Sequence, residues 1–260
     1  MQNKNFLEKI IELKRLDLSL KAQVSGKFSN PVFKDSDTLR FRRVFIEKKD
    51  TISLIAEIKF ASPTNPTLGS PKALLQQAKQ YEQSGADAVS LITEKRFFKG
   101  SPSFVTKVKE AVTLPVLQKD FVIDSRQIYE AKEIGSDALL LITRLIDGET
   151  LKKFVNICLE EGIEPVVEIN NEEDLQKAIE TETKIIAVNA RDLETFTIDI
   201  SSACSLIKKI PDHFIKLGFS GIHSSREVQQ YKKAGANGVL AGTSLMQTND
   251  IDKLMNSLKI

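Results

Sequence analysis

Five residues able to carry charge or move protons, and one amide able to orient them, fall near the ends of short apolar runs in this 260-residue chain. Glu57 and Lys59 lie in LIAEIKFASPT (54–64), Lys119 in PVLQKD (115–120), Glu168 in EPVVEI (164–169), and Asn189 and Arg191 in IIAVNARD (185–192). Ions are rarely buried without partners, because removing one from water costs several kcal/mol. One buried charged residue reads as a structural ion pair. Five of them, delivered to one rim together with the Asn189 amide, read as acid–base chemistry. A partly desolvated lysine near other cations can act as a general acid, and a neighbouring carboxylate can take the complementary role.

Two later runs end in small residues instead. The seventh ends Phe219-Ser220-Gly221-Ile222, and the eighth ends Ala241-Gly242-Thr243-Ser244 before a short helical stretch. Small residues let backbone N–H groups approach an anion. Tight turns explain these segments too, but their position favours a phosphate site formed by Ser220, Gly221, Gly242 and Thr243.

Strand alternation puts Ile55, Glu57 and Lys59 on one face, and Leu54, Ala56 and Ile58 on the other. Eight such runs are expected as strands: 54–59, 88–93, 115–119, 138–143, 164–169, 184–189, 214–220 and 238–241. Amphipathic segments such as 72–83 and 173–180 separate them. An internal echo supports the alternation. SGADAVSLIT (84–93), IGSDALLLIT (134–143) and AGANGVLAGT (234–243) each place a Gly between a helical segment and an apolar run. Gly85, Gly135 and Gly235 recur at multiples of roughly 25 residues, the size of a compact βα unit. The pattern predicts an α/β fold, a (β/α)8 TIM barrel, over a doubly wound open sheet. In a barrel, the Glu57/Lys59 face points inward near the carboxyl-end mouth. Residues 1–50 fall outside the repeat. Phe6, Ile10 and Leu13 have helical spacing, widened by Leu7 and Ile11, and a basic segment spans 38–49. Both are expected to be helices packed on the barrel (51–260), with residues 1–260 forming one domain.

Composition narrows the class. Hydrophobic residues make up 41% and charged residues 28%, and 37 basic against 35 acidic residues give a formal charge of +2. That balance offers no basic field for nucleic acid. Cys158 and Cys204 lack metal-ligand or disulfide-framework spacing, as do His213 and His223, so no metal is assigned. No apolar stretch approaches the ~20 residues of a membrane span, and the N-terminus lacks a signal-peptide pattern. A cytoplasmic protein without membrane partners is expected; no feature decides its oligomeric state.

The motifs IAEIKFASP (55–63), SLITEKRFFKGS (90–101), LPVLQKDFVID (114–124), EPVVEIN (164–170), VNARDLETF (188–196), FSGI (219–222) and AGTSLM (241–246) resemble, in order and spacing, the indole-3-glycerol phosphate synthase family. LEKIIELKRLDLSLK (7–21) is similar to the helix that precedes that family's barrel. The resemblance implies a cofactor-free ring closure of 1-(2-carboxyphenylamino)-1-deoxyribulose 5-phosphate to indole-3-glycerol phosphate, CO2 and water. It implies Lys119 as general acid, Glu168 as its carboxylate partner, and Lys59, held by Glu57, as a positioning group and acid for dehydration. Ser62, Asn189 and Arg191 would face the substrate carboxylate and hydroxyls, with Arg191 offering a planar fork. Phe97, Phe98 and Phe121 would wall the aromatic ring, or pack in the core.

Three positions depart from the family pattern. Phe219 stands where a Glu is usual, Phe60 where Lys or Arg is usual, and SPTNPTLG (62–69) replaces a loop with a basic residue. Loss of a carboxylate implies a simpler acid–base network, or impaired activity. The other two imply less positive charge near the phosphate. A non-catalytic barrel that binds a phosphorylated ligand and a sugar-phosphate isomerase are the competing readings.

Overall fold

The computed structural model describes residues 6–22, 40–46 and 51–260. Eight parallel strands close into a barrel in which every strand pairs with its neighbours in chain order. They are β1 (Ser53–Ile58), β2 (Ala88–Ile92), β3 (Val116–Lys119), β4 (Ala138–Ile142), β5 (Glu164–Ile169), β6 (Ile185–Asn189), β7 (Ile215–Phe219) and β8 (Gly238–Ala241). Helices α3 (Leu74–Gln83), α4 (Ser103–Ala111), α5 (Arg126–Glu133), α6 (Gly148–Glu160), α7 (Glu172–Ile179), α8 (Ile200–Ile207) and α9 (Ser225–Lys233) alternate with them; α10 (Thr243–Gln247) and α11 (Ile251–Leu258) follow β8. The expected (β/α)8 TIM barrel is what forms. Gly85, Gly135 and Gly235, the echo of the sequence, all have φ between 82° and 97°. This is the left-handed geometry in which a helix stops and turns into the next strand. Lys59, Thr93, Thr143 and Ser220 lie just past strand ends, where the chain turns away from the mouth.

The register fixes what fills the barrel. Inward side chains at one height come from alternate strands, as in other barrels of this type. Following the pairing around the ring gives a floor of Ala88, Ala138, Ile185 and Gly238. Above it lie Ile55, Leu117, Val166 and Leu217, then Ser90, Leu140, Ala187 and Leu240. The next layer consists of Glu57, Lys119, Glu168 and Phe219, and Ile92, Ile142 and Asn189 stand one step higher at the strand ends. The lower layers are apolar and buried, apart from Ser90. Leu54, Ala56 and Ile58 face outward into the packing between strands and helices. Alternation along β1 therefore separates structural residues from chemical ones.

Two N-terminal helices close the ends. α1 (Phe6–Ala22) crosses the mouth, with Leu7 and Ile10 buried against the inner cluster and Lys14 ion-paired to Asp120 just past β3. α2 (Arg40–Ile46) plugs the floor; of the basic segment expected at 38–49, its flanks lie outside the described residues. Phe41 and Phe45 are buried, and a Cβ on Gly238 would come within 2.6 Å of the Phe45 ring. Arg42 forks onto Glu164 with two 2.8 Å hydrogen bonds. Burial raises the Glu164 pKa, against the pull of that guanidinium. Among the described residues, no helix is long and apolar enough to cross a membrane.

Phe45→Ala opens a cavity beneath the floor and is expected to cost about 3–5 kcal/mol. Urea unfolding measures this, and a loss below about 1 kcal/mol would mean that α2 does not plug the barrel.

Candidate active site

The mouth layer is an ion-pair network set on an apolar barrel. Glu57 is 2% exposed and receives two ammonium groups: Lys59 Nζ at 2.7 Å from Oε1 and Lys119 Nζ at 3.2 Å from Oε2. Burial alone would raise its pKa, but the two lysines outweigh desolvation and hold the carboxyl at about 2. Glu57 is therefore a fixed anion at neutral pH.

Glu168 has the opposite bias. Desolvation raises its pKa above 4.5, and the attraction of Lys119 and the hydrogen bond from Asn189 only partly offset that. Two carboxyls of one layer are thus separated by environment: one permanently charged, the other poised to take a proton. Asn189 Nδ2 donates to Glu168 Oε1 at 3.1 Å, while its Oδ1 accepts from Ser220 Oγ at 2.9 Å and from the Arg191 backbone N–H at 3.0 Å. The Asn189 amide thereby orients the carboxyl and ties β6 to the turn after β7. Arg191 donates to the Phe196 carbonyl at 2.9 Å, and burial lowers its pKa without approaching neutrality at ordinary pH.

Glu57, Lys59, Ser62, Lys119, Phe121, Glu168, Asn189, Arg191, Ser220, Gly221, Gly242 and Thr243 all line one cleft, with about 1160 Å³ of empty volume including its open mouth. Ser62 starts a tight turn in which its Oγ accepts from the Asn65 backbone N–H at 3.0 Å. Ser220 and Gly221 have φ of 70° and 80°, which turns the chain sharply after β7. Gly242 lies against the ion pairs: a Cβ there would meet Glu57 Oε1 at 2.5 Å and Lys59 Nζ at 3.0 Å.

Phe97 does not line the cleft; Phe98 does. Phe97 instead packs edge-on against Phe6, with ring centroids 5.2 Å apart. Glu94 sets this arrangement by accepting the backbone N–H groups of Arg96, Phe97 and Phe98 at 2.7–3.2 Å. Phe6, Leu193 and Phe196 complete the apolar wall. Phe6 was legible as part of a helical stripe, and the other two lie inside a quoted motif, but spacing alone did not aim them at the cleft. His223 also reaches the rim, and no group of three or more His, Cys, Asp or Glu among the described residues could hold a metal.

Phe60 corrects one expectation. It is buried in the outer layer, edge-on to Phe104 with centroids 5.8 Å apart, so its side chain does not set the charge of the cleft. The 62–69 loop also has a cation beside it, because Lys99 Nζ donates to the Pro66 carbonyl at 2.8 Å. Phe219, by contrast, stands in the mouth layer, with Lys119 Nζ 4.9 Å from its ring centroid.

A family model described as indole-3-glycerol phosphate synthase matches residues 7–258. Curated relatives with that name include one from Caldanaerobacter subterraneus subsp. tengcongensis, 42% identical over 78% of each chain. Another, from Bacillus cereus, is 35% identical over 98% of each chain. A crystal structure of 3-hexulose-6-phosphate synthase shares the fold, with a TM-score of 0.65 and 17% identity over 80% of this chain and 98% of that one. The family model spans nearly the whole chain and the relatives match it at 35–42% identity, so this chain belongs to the indole-3-glycerol phosphate synthase family.

Proposed function

We propose that this chain is an indole-3-glycerol phosphate synthase, a carboxy-lyase of tryptophan biosynthesis. It closes the ring of 1-(2-carboxyphenylamino)-1-deoxyribulose 5-phosphate with loss of CO2 and water. The observation that carries the reading is the mouth layer, where Lys119 and Glu168 flank one cleft and Glu57 anchors both lysines. Two free cysteines fit work in the reducing cytoplasm.

In this reading the aromatic carbon bearing the carboxylate bonds to the ribulose ketone carbon. Lys119 Nζ gives its proton to the ketone oxygen as negative charge develops there. Breaking the carboxyl bond releases CO2 and returns its electron pair to the ring. The hydroxyl formed from the ketone then leaves as water with a proton supplied by Lys59, while Glu168 accepts the proton lost from the adjacent carbon. Glu57 takes no proton; it keeps the two ammonium groups together against their mutual repulsion. Arg191 and Ser62 hold the substrate carboxylate, Asn189 a hydroxyl, and the turns at Ser220–Gly221 and Gly242–Thr243 the phosphate. Phe98 and Phe121 flank the aromatic ring; Phe97 supports them through Phe6.

Purified protein is expected to form indole-3-glycerol phosphate from this substrate, and Lys119→Ala is expected to lower kcat by about 10²–10⁴-fold. Folded protein without turnover would contradict the assignment and favour the ligand-binding barrel. The acid side of the kcat/KM profile should rise with pH through a value above the ordinary glutamate range, set by Glu168, because the working form is the carboxylate and burial raises its pKa in the free enzyme. Glu168→Gln should remove that limb from any residual activity; an unchanged limb would exclude Glu168 as the base. Gly242→Ala presses on Glu57 Oε1, on Lys59 Nζ and, at 3.1 Å, on Glu57 Cβ, so it is expected to displace the ion pair and lose about 10²-fold in kcat. Wild-type kcat in that variant would mean that the Glu57–Lys59 geometry is not critical.

A further inference from the structure

Position 219 puts an aromatic ring inside the mouth layer itself. Lys119 has a 3.2 Å ion pair with Glu57 Oε2, but the other oxygen of that carboxylate is occupied by Lys59 at 2.7 Å. Glu168 attracts Lys119 across the layer, and its oxygen Oε1 is engaged by the Asn189 amide. The remaining member of the layer is the Phe219 ring, fully buried, with Lys119 Nζ 4.9 Å from its centroid.

That ring is fixed from several sides. β7 pairs Phe219 with Asn189 on one side and Leu240 on the other. The Phe219 carbonyl accepts from the Ala190 backbone N–H at 3.0 Å and from the Tyr231 hydroxyl at 3.2 Å. Leu217 and Leu240 in the layers beneath pack in the same apolar cluster. An aromatic face attracts an ammonium through its quadrupole. Unlike a carboxylate, it has no lone pair to receive the proton.

We propose that Phe219 is a positioning residue for Lys119. Its ring face is the second holder of the ammonium beside Glu57, without competing for the proton that Lys119 delivers to the substrate oxygen. The catalytic part of this inference rests on the synthase reading above; the contact itself does not.

The test uses full-length protein carrying ¹³Cε-lysine, with the Lys119 signal assigned by its loss in Lys119→Met. In wild type, ring current should shift the Lys119 ε-protons upfield. Phe219→Leu should abolish that shift while retaining the wild-type circular dichroism spectrum. The same variant should lower kcat about 2- to 30-fold with KM little changed, and Phe219→Tyr, which keeps the ring, should recover most of the loss. If Phe219→Leu does not fold, Phe219→Met serves in its place. No upfield shift in wild type, kcat within twofold of wild type in Phe219→Leu, or equal losses in the Leu and Tyr variants would each overturn the proposal. If wild type shows no turnover but the shift disappears in Phe219→Leu, ring positioning stands and the synthase reading fails.

Discussion

One buried carboxylate shared by two ammonium groups organises this molecule. Glu57 is buried near the mouth of the barrel, where an unpaired charge would be costly, and each of its oxygens takes one lysine. Remove it, and two cations face each other across the mouth with no anion between them. Gly242 must lack a side chain because that pair occupies the space, and β8 turns tightly into α10 beside it. Glu168, held apart by Asn189, keeps the contrasting protonation bias that gives the layer both a donor and an acceptor.

The rest of the fold supports that layer from below and above. Three inner layers beneath it, largely of small and branched residues, fill the barrel, and the Phe41/Phe45 plug on α2 seals the floor. Above, α1 lays Phe6 against Phe97, Phe121 and Phe196, with centroids 5.0–6.4 Å apart. An apolar roof over an ionic floor suits a substrate with an aromatic ring at one end and charged groups at the other.

Much of this was legible in the sequence. Period-two alternation put Glu57 on the inward face of β1, and the Gly85/Gly135/Gly235 echo marked helix ends that do adopt left-handed geometry. The same alternation, carried one residue further, puts Phe60 outward with Ile58, and that signal was available but unused. Other features depend on how the ring closes. That Phe219 shares a height with Lys119 follows from the stagger of strands around the barrel, and no local pattern encodes stagger. Phe6 belongs to an obvious amphipathic stripe, yet helical spacing says that a face is buried and not which surface it covers. Phe97 and Phe98 are adjacent and chemically identical; only the turn held by Glu94 decides which one meets the cleft.

The central claim is that Glu57 acts through the lysine it holds, so the two should behave as one unit. A double-mutant cycle on kcat tests this most directly, comparing Glu57→Gln, Lys119→Met and the double variant. The account predicts that once Lys119 is gone, removing Glu57 costs much less than it does in the wild-type enzyme. Independent losses that multiply in the double variant would contradict it.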